Sequence, residues 1–70
     1  MSQTVDARGF SCPQPVMMAL KAQETNPDAF VVEVDHETAA ENVVRALTEK
    51  GRQTTVSKSE DGYSVAVAAK

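Results

Sequence analysis

The sequence predicts a two-layer α+β sandwich in which two helices cover one face of a four-stranded mixed sheet. Three observations support this prediction: two segments with a helical apolar stripe, four short segments of strand character, and a hairpin turn near the C-terminus. Their order along the chain is β-α-β-α-β-β. Because a helix joins the first two strands, we expect them to be parallel with a right-handed crossover. A chain of 70 residues fits one small core, so residues 1–70 are expected to form a single domain.

The first strand and the first helix are separated by a short loop. The strand is predicted at Thr4 to Asp6. Prolines are accepted in the first turn of a helix, where backbone N–H groups have no intrahelical partner. Pro13 and Pro15 therefore predict a helix from about Pro13 to Thr25, with Cys12 as its N-cap. Four residues are expected on its apolar face: Val16, Met17, Ala19 and Leu20.

The second strand follows the predicted end of this helix at Asn26-Pro27-Asp28. Alternation of apolar and polar residues predicts a strand from Ala29 to Asp35. One of its faces is expected to be apolar: Phe30, Val32 and Val34. The opposite face of the sheet is expected to be polar enough to meet water and to carry Glu33, Asp35, Thr55, Ser57 and Ser64.

The second helix is predicted from a start signal and an apolar stripe. Thr38 and Glu41 have the spacing of a capping box, in which each side chain satisfies a backbone N–H at the helix start. Gly51 is expected to end the helix. The stripe consists of Ala40, Val43, Val44 and Leu47. Two last strands, about Gln53 to Ser59 and Tyr63 to Ala68, flank the turn signal Glu60-Asp61-Gly62.

Composition excludes several classes of protein. Ten acidic and seven basic side chains give a net charge of −3 and a pI of about 4.9, which argues against nucleic-acid binding. No apolar run approaches the ~20 residues of a membrane span, and no signal peptide is visible. A single cysteine cannot form an internal disulfide, whereas small secreted domains usually contain several. We therefore expect a cytoplasmic protein that binds neither membranes nor nucleic acid.

The single cysteine is the strongest candidate for chemistry. Cys12 directly precedes the predicted helix. The positive end of a helix dipole and the N–H groups of its first turn stabilise a thiolate, which lowers the pKa of the thiol. Thiolate is the reactive form of cysteine. The alternative is a small buried residue at a helix start, and the two neighbouring prolines favour the reactive interpretation.

The predicted topology also brings the only histidine toward the only cysteine. Cys12 and His36 follow the ends of two parallel strands, and α/β sheets usually place their sites at that edge. A Cys–His catalytic pair is one hypothesis, but neighbouring strand ends do not set a hydrogen-bond distance. We favour an exposed loop position for His36. One Cys and one His cannot supply the three or four ligands of a zinc site, so no metal is expected.

The sequence resembles the TusA (SirA-like) sulfur-carrier family over essentially its whole length. The resemblance is clearest in Val5-Asp6-Ala7-Arg8-Gly9-Phe10-Ser11-Cys12-Pro13-Gln14-Pro15-Val16, which contains the family's Cys-Pro-x-Pro motif. Within the family, the sequence is closest to the YedF branch in the stretch from Val34 to Val43 and in Lys50-Gly51. Proteins of this branch commonly carry a second, DsrE-like domain. The family implies a persulfide-relay sulfurtransferase without a cofactor. The resemblance implies that this protein takes sulfur on Cys12 from a donor such as a cysteine desulfurase or a rhodanese-like protein.

In this interpretation the persulfide passes to an acceptor protein, DsrE-like or similar, in tRNA thiolation or in sulfur or selenium metabolism. The absence of a second cysteine fits, because no resolving thiol converts the persulfide into an internal disulfide. Pro13 and Pro15 support the helix start. Met18 lies roughly opposite the predicted stripe, so we expect it to face solvent and to dock partners; the alternative is a half-buried Met18. Lys21 is a second docking candidate, although a solvated lysine is the commoner case.

Three residues between the end of the first strand and Cys12 complete the predicted site. Gly9 is expected to adopt a backbone angle that other residues avoid. Asp6 is expected to accept N–H bonds from the loop rather than to act as a base, because a carboxylate beside a thiolate raises its pKa. Arg8 either stabilises the sulfur anion, docks an acidic partner or is simply exposed.

Two other functions are compatible with the sequence. The first is a non-catalytic interaction or regulatory module in which Cys12 is structural. The second is nucleic-acid binding, because the topology also resembles the C-terminal domain of translation initiation factor 3. The low pI and the lack of a Lys/Arg stripe argue against the second.

Overall fold

Two helices and four strands form a two-layer α+β fold, as predicted. The structure is a computed structural model that describes residues 3–10, 13–26 and 28–69. Its elements are β1 (Gln3–Asp6), α1 (Gln14–Thr25), β2 (Phe30–Val34), α2 (Glu37–Glu49), β3 (Thr54–Ser59) and β4 (Gly62–Val67). The predicted order β-α-β-α-β-β is confirmed.

The sheet has the strand order β1-β2-β4-β3, which the sequence left open. β1 and β2 are parallel, and both other pairs are antiparallel. The register aligns one apolar row across the sheet: Val5, Val32, Val65 and Val56. Because β4 runs against β2, the turn between β3 and β4 lies at the edge where β1 and β2 end.

The core lies between this sheet and the two helices. β2 alternates as predicted, with Phe30, Val32 and Val34 buried and the residues between them half-buried. Helix α2 contributes four buried side chains: Ala39, Ala40, Val43 and Leu47. The opposite face of the sheet is uncovered and carries Glu33, Thr55, Ser57 and Ser64, as predicted, while Asp35 lies just beyond β2.

Helix α1 begins later and is rotated relative to the sequence prediction. Its N-cap is Pro13, and the first intrahelical bond runs from the Met17 N–H to the Pro13 carbonyl at 3.0 Å. The predicted N-cap, Cys12, lies outside the described residues, as does Pro27 of the predicted helix stop. The buried positions are Pro15, Ala19 and Gln23, spaced by four, so this line of the helix faces the core.

This rotation corrects the prediction for the two methionines. Met17 is 60% exposed, whereas Met18 is half-buried and packs against the core. At about 100° per residue, Met18 flanks the line through Pro15 and Ala19, and Met17 lies opposite it. The sequence pattern failed because it did not count Pro15 as a core residue and gave Met17 that role.

Helix α2 does not use the predicted capping box. It begins at Glu37 with His36 as N-cap, and no side chain in this fully described segment forms a capping hydrogen bond. The start lies directly after β2, since only Asp35 and His36 separate the two elements. Thr38 is therefore inside the first turn, where its hydroxyl does not hold the N-cap position.

The end of α2 is a Schellman motif. Gly51 has φ +84°, the left-handed conformation that favours glycine, so the predicted stop is confirmed. Its N–H donates to the Thr48 carbonyl, and the Arg52 N–H donates to the Leu47 carbonyl, both at 3.0 Å. This turn directs the Arg52 side chain into the interior, where it is 2% exposed.

Candidate functional site

Four chain segments meet at the edge where the parallel strands end. They are the loop after β1, the β2–α2 connection, the start of α1 and the turn between β3 and β4. The loop after β1 is the segment that leads to Cys12. The sequence predicted a site at this edge.

Three successive backbone N–H groups hold the loop after β1 to the sheet. The Ala7 N–H donates to the Glu33 carbonyl at 2.8 Å and so extends the parallel pairing by one residue. The Arg8 N–H donates to the Asp6 carboxylate at 3.2 Å. The Gly9 N–H donates to Oδ2 of Asp35 at 2.5 Å, across 26 residues of sequence. Gly9 has φ +87°, which confirms the predicted special backbone angle.

Asp6 and Arg8 form a two-point ion pair on this loop. Arg8 Nε lies 2.9 Å from Asp6 Oδ1, and Arg8 Nη2 lies 3.1 Å from Asp6 Oδ2. These bonds lower the pKa of Asp6 and raise the pKa of Arg8, with the hydrogen bond between their side chains as the largest cause in each case. Asp6 thus accepts a loop N–H, as predicted. The Arg8 guanidinium is occupied by Asp6, with Asp61 as a second carboxylate at 3.9 Å.

The residues that flank the cysteine differ in exposure. Cys12 and Ser11 lie outside the described residues. Phe10 is 48% exposed, Pro13 is exposed, and Pro15 is fully buried. Pro15 therefore also contributes to the core, in addition to its predicted part in the helix start.

His36 is exposed and occupies the N-cap position of α2 without a side-chain capping bond, consistent with the favoured loop position. No distance to Cys12 is defined, so the Cys–His hypothesis stays a prediction. Among the residues that the structure describes, no three His, Cys, Asp or Glu side chains are grouped as metal ligands would be. Within the same residues, neither helix has the length and apolar character needed to span a membrane.

The outer side of α1 carries an open groove that starts in its first turn. Its lining residues are Gln14, Met17, Met18, Leu20, Lys21 and Glu24. Met17 is the most exposed of its apolar members, and Lys21 lies one turn further along the same side. Of the two predicted docking residues, Lys21 is exposed and Met18 contributes only its exposed part. Met17 was missed because the sequence pattern placed it in the core.

Asp35 is a second residue whose part in the site was not predicted from the sequence. The sequence placed Asp35 on the polar sheet face but gave it no role beyond this. Its contact with Gly9 depends on the register of β1 and β2, which pairs Asp6 with Glu33 and leaves Asp35 near the loop. The only available signal was its position at the end of a strand that runs parallel to β1.

Comparison with known proteins agrees with the fold. A solved SirA-like protein from Desulfitobacterium hafniense superimposes with a TM-score of 0.85 at 27% sequence identity, over 97% of this chain and 99% of that chain. No curated protein matches the sequence. The family model described as sulfurtransferase TusA matches residues 3–69. The chain therefore belongs to the TusA sulfurtransferase family.

Proposed function

We propose that this protein is a sulfur carrier that accepts a persulfide sulfur on Cys12 and delivers it to an acceptor protein. The observation that carries the proposal is the family match over residues 3–69, which includes the one cysteine of the chain. The donor is a cysteine desulfurase or a rhodanese-like protein, and the acceptor is DsrE-like or similar. The sulfur serves tRNA thiolation or sulfur or selenium metabolism, and it is with sulfur or selenium metabolism that the YedF branch, which the sequence resembles most, is linked.

The transfer step needs a thiolate on the carrier. The Cys12 thiolate attacks the outer sulfur of the donor persulfide and forms a new S–S bond. The S–S bond of the donor breaks, its electron pair stays on the inner sulfur, and the donor leaves as a thiolate. The carrier then holds Cys12–S–SH, and the same exchange with an acceptor thiol delivers the outer sulfur. No external oxidant or reductant is required, because each S–S bond formed replaces one that breaks.

The start of α1 supports this chemistry electrostatically. Cys12 precedes the N-cap Pro13 by one residue in the sequence, and a helix N-terminus stabilises nearby anions. The first turn of α1, which is fully described, contains no acidic side chain. The acidic residue nearest to Cys12 in the sequence, Asp6, is paired with Arg8, so its charge is compensated. Pro13 and Pro15 restrict the backbone of the helix start that presents the thiol.

The groove on α1 is the docking surface in this proposal. Its apolar members Met17 and Leu20 give a flexible contact that suits more than one partner, since methionine adapts its shape at low cost. Lys21 and Glu24 form the polar border of the groove. Because the groove starts in the first turn of α1, a partner bound there is near the chain segment that contains Cys12.

Intact mass spectrometry tests the proposal. The protein is incubated with a cysteine desulfurase and cysteine, without added reductant, and its mass is followed in time. We expect the mass of one additional sulfur atom, removed again by dithiothreitol, and no addition in Cys12→Ser. If the parent gains no sulfur, or if Cys12→Ser supports sulfur delivery to the acceptor as well as the parent, Cys12 is structural and the protein is an interaction module.

A further inference from the structure

We propose that Asp35 is a positioning residue for the cysteine loop: its carboxylate fixes the backbone of Gly9 and thereby sets where the chain enters the Cys12 segment. The inference rests on the proposed role of Cys12. Its structural basis is the 2.5 Å hydrogen bond from the Gly9 N–H to Asp35 Oδ2, which joins two parts of the chain 26 residues apart.

Asp35 is held firmly enough to act as an anchor. It lies between the last residue of β2 and the N-cap of α2, so both neighbours in the chain belong to regular structure. The β3–β4 turn packs against the same backbone: a Cβ atom on Gly62 would lie 2.2 Å from the Val34 carbonyl oxygen and 3.1 Å from Asp35 Cα. The side chain of Asp35 is half-buried.

Gly9 is the point in the loop where an anchor has the largest effect. The two preceding N–H groups are already bound, to the Glu33 carbonyl and to the Asp6 carboxylate. Gly9 then takes φ +87°, three residues before Cys12 in the sequence. A glycine loses more conformational freedom on folding than other residues, so its orientation depends on an external partner. Asp35 is that partner.

Positioning and direct electrostatics predict opposite changes in thiol acidity. Removal of a negative charge near a thiol lowers its pKa. Loss of a defined position at the start of a helix raises it, because the stabilisation of the thiolate is lost. A substitution that removes the Asp35 carboxylate together with its acceptor atom therefore separates the two effects by sign.

The experiment compares the parent with Asp35→Ala, Asp35→Asn and the control Asp61→Ala. Asparagine keeps an acceptor oxygen for Gly9 without the charge. Asp61 is an acidic residue at the same edge with an 82% exposed side chain, so its removal takes away charge but not the Gly9 contact. Alkylation by iodoacetamide is measured against pH, and Gly9 amide exchange is measured by NMR in each protein.

In Asp35→Ala we expect faster exchange of the Gly9 amide. The midpoint of Cys12 alkylation against pH should rise toward the ~8.5 of free cysteine. Asp35→Asn and Asp61→Ala are expected to keep slow Gly9 exchange and a midpoint at or below that of the parent. Persulfide formation should slow several-fold in Asp35→Ala alone. Circular dichroism confirms that each variant is folded.

An unchanged or lowered midpoint in Asp35→Ala would overturn the proposal, as would an equal rise in Asp35→Asn. Failure of the proposed function has a different signature, because a parent that gains no sulfur can still show the alkylation and exchange pattern. The role of Asp35 and the role of Cys12 are thus tested separately.

Discussion

At the scale of single residues, the site is a set of short polar contacts around one loop. Asp6 binds both the backbone and the side chain of Arg8, and Asp35 binds Gly9. The Asp6–Arg8 pair is exposed, with side-chain exposures of 58% and 38%, so its contribution to stability is small. Its effect is local, because it holds the loop that leads to the cysteine.

The Asp6–Arg8 pair predicts the acid titration of one carboxyl group. Arg8 lowers the pKa of Asp6, so the Asp6 carboxyl should titrate below the ~3.9 of an unperturbed Asp. The pair stabilises the loop above that pH and is lost as the pH falls through the lowered value. Carbon-13 NMR of the Asp6 carboxyl measures this midpoint. In Arg8→Met the midpoint should move up, and identical titrations in both proteins would contradict the ion pair.

The two adjacent methionines offer a matched pair of variants. Met17 is 60% exposed, so Met17→Glu should change stability by less than about 0.5 kcal/mol and weaken docking to donor or acceptor. Met18 packs on the core, so Met18→Glu should cost about 2 kcal/mol, and the Tm should fall by roughly 10 °C.

Thermal melting and the rate of sulfur acceptance are measured for both variants. A large Tm decrease in Met17→Glu would show that the rotation of α1 is wrong. A Met17→Glu variant that melts like the parent and accepts sulfur at the same rate would exclude the α1 groove as the docking surface.

At the scale of elements, the β3–β4 hairpin and the end of β2 fit together only because Gly62 has no side chain. Gly62 has φ +144°, and a Cβ atom there would lie 2.2 Å from the backbone oxygen of Val34. Gly51 also has positive φ, but a Cβ atom there would contact nothing within 4 Å. Substitution of these two glycines therefore distinguishes the cost of steric overlap from the cost of backbone strain.

Gly62→Ala should destabilise the protein by about 2 kcal/mol or more, because both strain and overlap act. Gly51→Ala should cost about 1 kcal/mol from the left-handed backbone alone. Urea unfolding of the two variants gives the difference directly. Equal costs would mean that the hairpin does not pack against Val34 as described.

The elements themselves follow from the sequence, but the rotation of α1 and the start of α2 do not. Alternation in β2, the apolar stripe of α2 and the glycine at its end were sufficient to predict these elements. The rotation of α1 depends on Pro15, whose burial is set by packing against the rest of the fold. The start of α2 depends on the two-residue connection from β2, which overrides the capping-box spacing. Both features depend on tertiary packing and have no signal in the local sequence.

Within the site, too, a contact between neighbouring residues was predictable and a contact between distant residues was not. The Asp6–Arg8 contact spans two residues and was predictable as a local hydrogen bond. The Asp35–Gly9 contact spans 26 residues and requires the relative position of β1 and β2, which the sequence predicts only as a parallel pair. The cysteine motif was recognised because its residues are contiguous in the chain.

At the scale of the whole molecule, buried Arg52 joins three parts of the chain. Its guanidinium donates to the carbonyls of Gln23 and Asn26 at the end of α1, to that of Asp28 before β2, and to that of Ala68 after β4. The cation also lies 5.4 Å from the centre of the Phe30 ring. The carbonyls at the end of α1 form the negative end of the helix dipole, which suits a cation.

Arg52→Met should destabilise the domain by about 3 kcal/mol, because one buried and three partly buried carbonyls lose their donor. A decrease in Tm of more than about 10 °C is expected for a domain of this size. Arg45 is exposed on α2, so Arg45→Met serves as the control and should have little effect. The Tm of Arg52→Lys should lie between those of Arg52→Met and Arg45→Met. If Arg52→Met has a Tm near that of the parent, Arg52 does not join these parts of the chain as described.

The most direct test of the central claim follows one sulfur atom through the protein. The carrier is loaded by a cysteine desulfurase with isotopically labelled cysteine, separated from the donor, and incubated with a DsrE-like acceptor. Intact mass spectrometry then follows both proteins. We predict that the labelled sulfur leaves Cys12 and appears on an acceptor cysteine, and that Cys12→Ser carries none. A label that never reaches Cys12, or that stays on it in the presence of the acceptor, would contradict the relay.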